Sequence, residues 1–169
     1  MSCVALVLLG KGRAAPGWLL EEVDLDGCES IDDVCDVLRD FDQPVRLLAV
    51  EQDDEYAVLA RLDAADDRAD EPVRVFLSNG HAADDHPLAQ LFADGLPEIG
   101  GDPLADDEDA PPGVHDAAPF GDPQLLADLG VPAAELIELA VHEGTLPADL
   151  IETVCERLGC LAEFEALRG

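Results

Sequence analysis

The chain opens on a continuous apolar run, "CVALVLL" from Cys3 to Leu9, which has the length of a buried strand. A turn-rich stretch, "GKGRAAPG", follows it, and "WLLEEVDL" then reads as the neighbouring strand. Helical spacing begins after Ser30, where Ile31, Val34, Leu38 and Phe41 recur on one face. Ser30 stands at the N-cap position, and Asp33 falls in the first turn, where a carboxylate suits the positive end of the helix dipole. Three strand-like runs come next: "VRLLAVEQ" (Val45 to Gln52), "YAVLARLD" (Tyr56 to Asp63) and "VRVFLSN" (Val73 to Asn79). Acidic turns part them, so the pattern predicts an antiparallel meander.

A two-residue loop at Asp53 and Asp54 would set Val50 opposite Ala57, Leu48 opposite Leu59 and Arg46 opposite Arg61. Strand alternation then predicts one face made of Val45, Leu47, Ala49, Val58, Ala60, Leu62, Val73, Val75 and Leu77, for the helix to cover. The other face is predicted to carry Arg46, Leu48, Val50, Leu59, Arg61, Arg74 and Phe76.

After a short helix around His86 to Phe92, apolar periodicity lapses. Residues 93 to 122 hold nine acids and neither lysine nor arginine, with prolines and glycines between them, the composition of a linker or mobile loop. Helix punctuation then returns. Asp122 and Pro123 open a short helix that Gly130 closes, Pro132 opens one that Gly144 ends, and Thr145 with Pro147 opens a third that ends at Gly159. Leu150, Ile151, Val154, Cys155, Leu158 and Leu161 form an apolar stripe that can pack within a helical group or onto the sheet. The expectation is an α+β fold, with a small antiparallel or mixed sheet, a helix on one face, an acidic linker and a C-terminal group of short helices. Its segments are 1–92 for the sheet domain, 93–122 for the linker and 123–169 for the helices.

Charge narrows the possible partners. Across 169 residues, 39 acids face nine lysines and arginines, for a formal charge of -30, so nucleic-acid backbones are repelled and a basic protein is attracted. The acidity also fits a solubility role or a halophilic or high-GC source. The five cysteines are odd in number, no signal-peptide pattern is seen, and no apolar run approaches about 18 residues, so a cytoplasmic protein with reduced thiols and no membrane span is expected.

Candidate chemistry is sparse. The acidic pairs lack the spacing of a calcium loop and read as solvated turns. No C-x-x-C occurs, and a zinc site joining Cys28, Cys35, Cys155 and Cys160 would require the tail to fold back onto the first helix; neither metal nor cofactor is expected. In "GKGRAAPG" the lysine lies between the glycines and no helix pattern follows, so a hairpin turn is expected in place of a phosphate loop. A zinc nucleobase deaminase needs H-x-E and P-C-x-x-C; here His142 is followed directly by Glu143, and Cys155 has no partner three residues on. No catalytic residue is assigned. The candidate binding surface is the sheet face bearing Arg46, Leu48, Leu59, Arg61, Arg74 and Phe76, either as a protein interface or as an anion site.

The stretches "VDLDG", "LLAVEQDDEYAVLARLD", "VRVFLSN" and "GDPQLLADLGVPAAELIELAVHEGTLPADL", in this order, resemble the actinobacterial family of tRNA adenosine deaminase-associated proteins. The resemblance covers nearly the whole chain outside the linker. It implies a non-catalytic accessory protein that binds the deaminase or another basic partner, and it carries over no catalytic residues. The alternative is a small-molecule or anion-binding protein, or an enzyme without a familiar motif, that uses the arginine-bearing face.

Overall fold

The computed structural model describes residues 3–10, 17–52, 54–62, 73–79, 82–93, 119–142 and 145–168. Most of the "GKGRAAPG" turn and residues 94–118 of the acidic stretch lie outside this description. The fold is α+β. Its centre is an antiparallel sheet of six strands: β1 (Cys3–Gly10), β2 (Leu19–Glu22), β3 (Val45–Gln52), β4 (Tyr56–Arg61), β5 (Arg74–Leu77) and β6 (Phe120–Gly121), in spatial order β2-β1-β3-β4-β5-β6.

Helices lie on both faces. One face is covered by α1 (Ile31–Arg39), α2 (Ala82–Asp85) and α3 (Pro87–Ala93); the other by a 3-10 turn (Ala127–Leu129) with α4 (Ala133–Val141), α5 (Pro147–Leu158) and α6 (Leu161–Arg168). Burying the sheet on both sides explains why β1, β3 and β4 are apolar at successive positions where a one-sided strand would alternate.

Local signals set the element ends. Ser30 Oγ accepts from the Asp33 backbone N–H, and the Asp33 carboxylate accepts from the Ser30 N–H, so α1 begins with a reciprocal capping box. Pro147 occupies the first turn of α5, and Gly159, with φ of +88°, closes that helix in the left-handed conformation. The short β6 falls within the stretch whose composition suggests a linker.

The β3–β4 register differs from the sequence expectation by one residue. Gln52 pairs with Tyr56, Val50 with Val58, Leu48 with Ala60 and Leu47 with Arg61, because the connection holds three residues instead of two. The Glu55 N–H donates to the Gln52 carbonyl across the turn, and Asp54 has φ of +57°. A one-residue slip exchanges the faces of β3 relative to β4. Leu48 and Val50 therefore join Val58, Ala60, Val75 and Leu77 under α1 and α3, while Leu47 and Ala49 join Leu59 and Phe76 under α5 and α6.

Candidate docking cleft

The slip divides the six residues expected to share a surface. Leu48 belongs to the core beneath α1 and α3, whereas Leu59 and Phe76 belong to the core beneath the C-terminal helices; all three have no exposed surface. Arg46 lies on the same side as Leu48. Its Nε donates to the Leu62 carbonyl at 3.2 Å, and its Nη1 donates to the carbonyls of Leu38 and Phe41 at the C-terminal end of α1. There the guanidinium lies at the negative end of the helix dipole.

Arg61 and Arg74 do sit together. They pair across β4 and β5 on the opposite side from Arg46. Arg61 is 4% exposed, and its two terminal nitrogens grip both oxygens of Asp128 at 2.6 and 2.9 Å, while Nη1 also donates to the Leu125 carbonyl. That hydrogen-bonded guanidinium holds the Asp128 carboxyl below its ordinary range. Arg74 is half-exposed and lies 4.0 Å from Asp122. The arginines thus fasten α1 and the 3-10 turn to the sheet, and the shared open face expected from sequence is not formed.

The cysteines are also split by the sheet. Cys28 and Cys35 pack on the α1 side, and Cys155 and Cys160 are buried on the other. Among the described residues, no group of three histidine, cysteine or acidic side chains is placed to hold a metal ion.

An open concavity lies elsewhere, on the α1–α3 side of the sheet. A cleft of 1140 Å³ runs between α3 and the β2–α1 loop, over the end of β1 that bears Cys3 and Ala5. Its apolar part comes from Val23 and Leu25 on the loop side and from Leu88 and Leu91 on α3. Leu25 is buried, but Val23, Leu88 and Leu91 are only half-buried, so apolar surface remains available within a concave site. The acidic part comes from Glu22, Asp24, Asp26 and Glu29, all exposed, and no lysine or arginine is among the lining residues.

The carboxylates make the local field negative, and Cys28 lies within the same lining. Burial, then the Asp33 and Asp24 carboxylates, raise the pKa of Cys28. The thiolate is suppressed, so Cys28 is a poor nucleophile here. Asp24 also shapes the loop by accepting from the Asp26 N–H at 2.9 Å. Just before α3, His86 Nε2 lies 2.9 Å from Glu55 Oε2, and its ring packs 5.5 Å from that of Tyr56. This contact ties the α2–α3 junction to the β3–β4 hairpin.

The cleft escaped the sequence reading because its two walls are over 50 residues apart in the chain. A signal was nevertheless present in "EEVDLDGCE", where acids alternate with Val23 and Leu25. Such alternation in a short loop reads as a turn unless the facing apolar wall is known.

A family profile described as "Rv3753c-like tRNA adenosine deaminase-associated protein" matches residues 11–161. The chain belongs to that family. The resemblance carried by "VDLDG" and the later stretches is therefore confirmed, and the matched span takes in β2 to β6 and α1 to α5. Neither a curated protein nor a solved structure matches the chain. Among the described residues of this family member, no helix is long and apolar enough to cross a membrane.

Proposed function

We propose that the protein is a non-catalytic, acidic accessory protein that binds a tRNA adenosine deaminase in the cytoplasm. The observation that supports the reading most is the cleft, which offers apolar surface beside a wall of carboxylates in a family described as deaminase-associated. A protein partner with a basic patch is drawn toward a surface of this sign, while an RNA backbone is repelled. Association is thus expected through the enzyme and without direct contact to the RNA.

The test is co-purification of the tagged full-length protein from its own host at low and high salt. The deaminase should be retained at low salt and depleted as ionic strength rises, because exposed charges separated by more than about 8–10 Å are screened near physiological salt. Recovery without the deaminase at every salt concentration, or tight tRNA binding by the isolated protein, would defeat the reading. The alternative, an anion held by the arginine-bearing sheet face, requires Arg46 or Arg61 to leave the carbonyl and carboxylate partners it now has.

A further inference from the structure

We infer that the α3/β2–α1 cleft receives a basic amphipathic segment of the partner protein, its apolar side chains resting on Val23, Leu88 and Leu91 and its lysines or arginines facing Glu22, Asp24, Asp26 and Glu29. Only the partner's identity rests on the accessory reading above; the kind of segment follows from the cleft.

Size favours a polypeptide occupant. At 1140 Å³ the cleft exceeds the roughly 300–1,000 Å³ typical of small-molecule pockets, and it lies beside a helix, the setting in which grooves take amphipathic segments. Chemistry selects the sign. Four carboxylates with no lining cation leave a negative potential that an apolar ligand alone would not use. Half-buried apolar side chains beneath that rim would give a bound segment affinity beyond charge attraction.

Two occupants from within the same chain fit poorly. Residues 94–118 follow directly from α3 and could reach the cleft, but they contribute eight acids and neither lysine nor arginine. A second copy brings the same charge of -30, so approach is opposed by mutual repulsion. Charge complementarity therefore points outside the chain.

The test uses the full chain and a fluorescent amphipathic peptide of leucine and lysine, with a leucine–glutamate peptide of equal length as control. The lysine peptide should bind and the glutamate peptide should not. Reversing three rim charges together, Glu22→Lys, Asp26→Lys and Glu29→Lys, should weaken lysine-peptide binding roughly tenfold or more. The matched triple reversal Glu152→Lys, Glu156→Lys and Glu163→Lys, on exposed positions of α5 and α6, should leave it nearly unchanged. Equal weakening by both sets would show diffuse charge attraction and overturn the inference, as would no weakening by the first.

A second readout needs no variant. Cys3 and Cys28 line the cleft, so bound lysine peptide should slow alkylation of both. Unprotected thiols in a saturated complex would overturn the inference. So would peptide binding that appears only after residues 98–116 are replaced by a glycine–serine chain, since the protein's own segment would then be the occupant. The two proposals separate cleanly. If the cleft reversal still co-purifies with the deaminase as well as the unaltered chain does, the cleft inference fails and the accessory reading stands. If the peptide binds with full protection but no deaminase co-purifies, the accessory reading fails and the cleft remains a site for basic segments.

Discussion

Arg61, buried in β4, holds both carboxylate oxygens of Asp128, which lies 67 residues later in the chain, at the end of the stretch that returns to the sheet. The contact is a fork of two parallel hydrogen bonds, so it fixes orientation as well as proximity. It sets the 3-10 turn against β4 and thereby positions Leu125 and Leu126, both fully buried, on the face of the sheet opposite α1. The C-terminal helices start from this anchored turn, and they cover the face that the sequence alone left available to a partner.

Removing the carboxylate takes from a buried cation the fork that holds both its terminal nitrogens. Asp128→Ala should lower stability by about 1–2 kcal/mol, a figure reduced because Asp128 itself is more than half exposed. The pH dependence has a definite sign. Asp128 has a lowered folded pKa, so its contribution is present above the ordinary carboxylate range and is lost as pH falls through the folded value. Urea melts at neutral pH should show the gap between the two proteins, and the gap should close in strong acid. A gap that widens on acidification would contradict the pairing.

Leu59 and Phe76 pack under α5 and α6 with no exposed surface. Introducing Leu59→Asp with Phe76→Asp puts two carboxylates into an apolar layer, and the cost should exceed about 4 kcal/mol. Circular dichroism should show loss of the cooperative thermal transition. A folded double mutant that merely loses its partner would mean that the C-terminal helices do not cover this layer.

Gly121 in β6 has φ of +105°, and a Cβ there would stand 1.9 Å from the Val75 carbonyl oxygen. Only glycine permits the backbone to approach β5 this closely. Gly121→Ala should detach β6 and reduce stability by about 1–3 kcal/mol. Hydrogen exchange offers a local check, since the Asp122 N–H that now donates to the Val75 carbonyl should lose protection. Unchanged protection would show that the strand accommodates the methyl group.

The cysteines should differ in reactivity according to their surroundings. Cys3 is exposed, Cys28 is half-buried with a raised pKa, and Cys35, Cys155 and Cys160 are buried. The hydrogen bond with Cys160, followed by burial, drives the Cys155 pKa strongly upward. Mass spectrometry after mild alkylation should find Cys3 labelled first, Cys28 slowly, and the other three only once the protein unfolds. Early labelling of Cys155 would show that the α5–α6 layer opens locally.

Sequence alone was enough for the fold class and for most elements, but β6 and the separate helix α6 were not legible in it. Ser30 with Asp33, Pro147 and Gly159 act within a turn or two of their own position, so their signals survive without tertiary context. The pairing of β4 with β5 was also legible, and the family could be recognised from contiguous stretches. The face of β3 was not. "VRLLAV" and "YAVLAR" are apolar on both sides because helices cover both sides, so alternation carries no parity, and the outcome depends on whether a turn of acidic residues holds two residues or three. That one-residue difference sent Arg46 to the end of α1 and Arg61 to Asp128. The cleft likewise required tertiary structure, since Val23 and Leu91 become neighbours only when two distant segments are laid on the same sheet, and no local pattern encodes that distance.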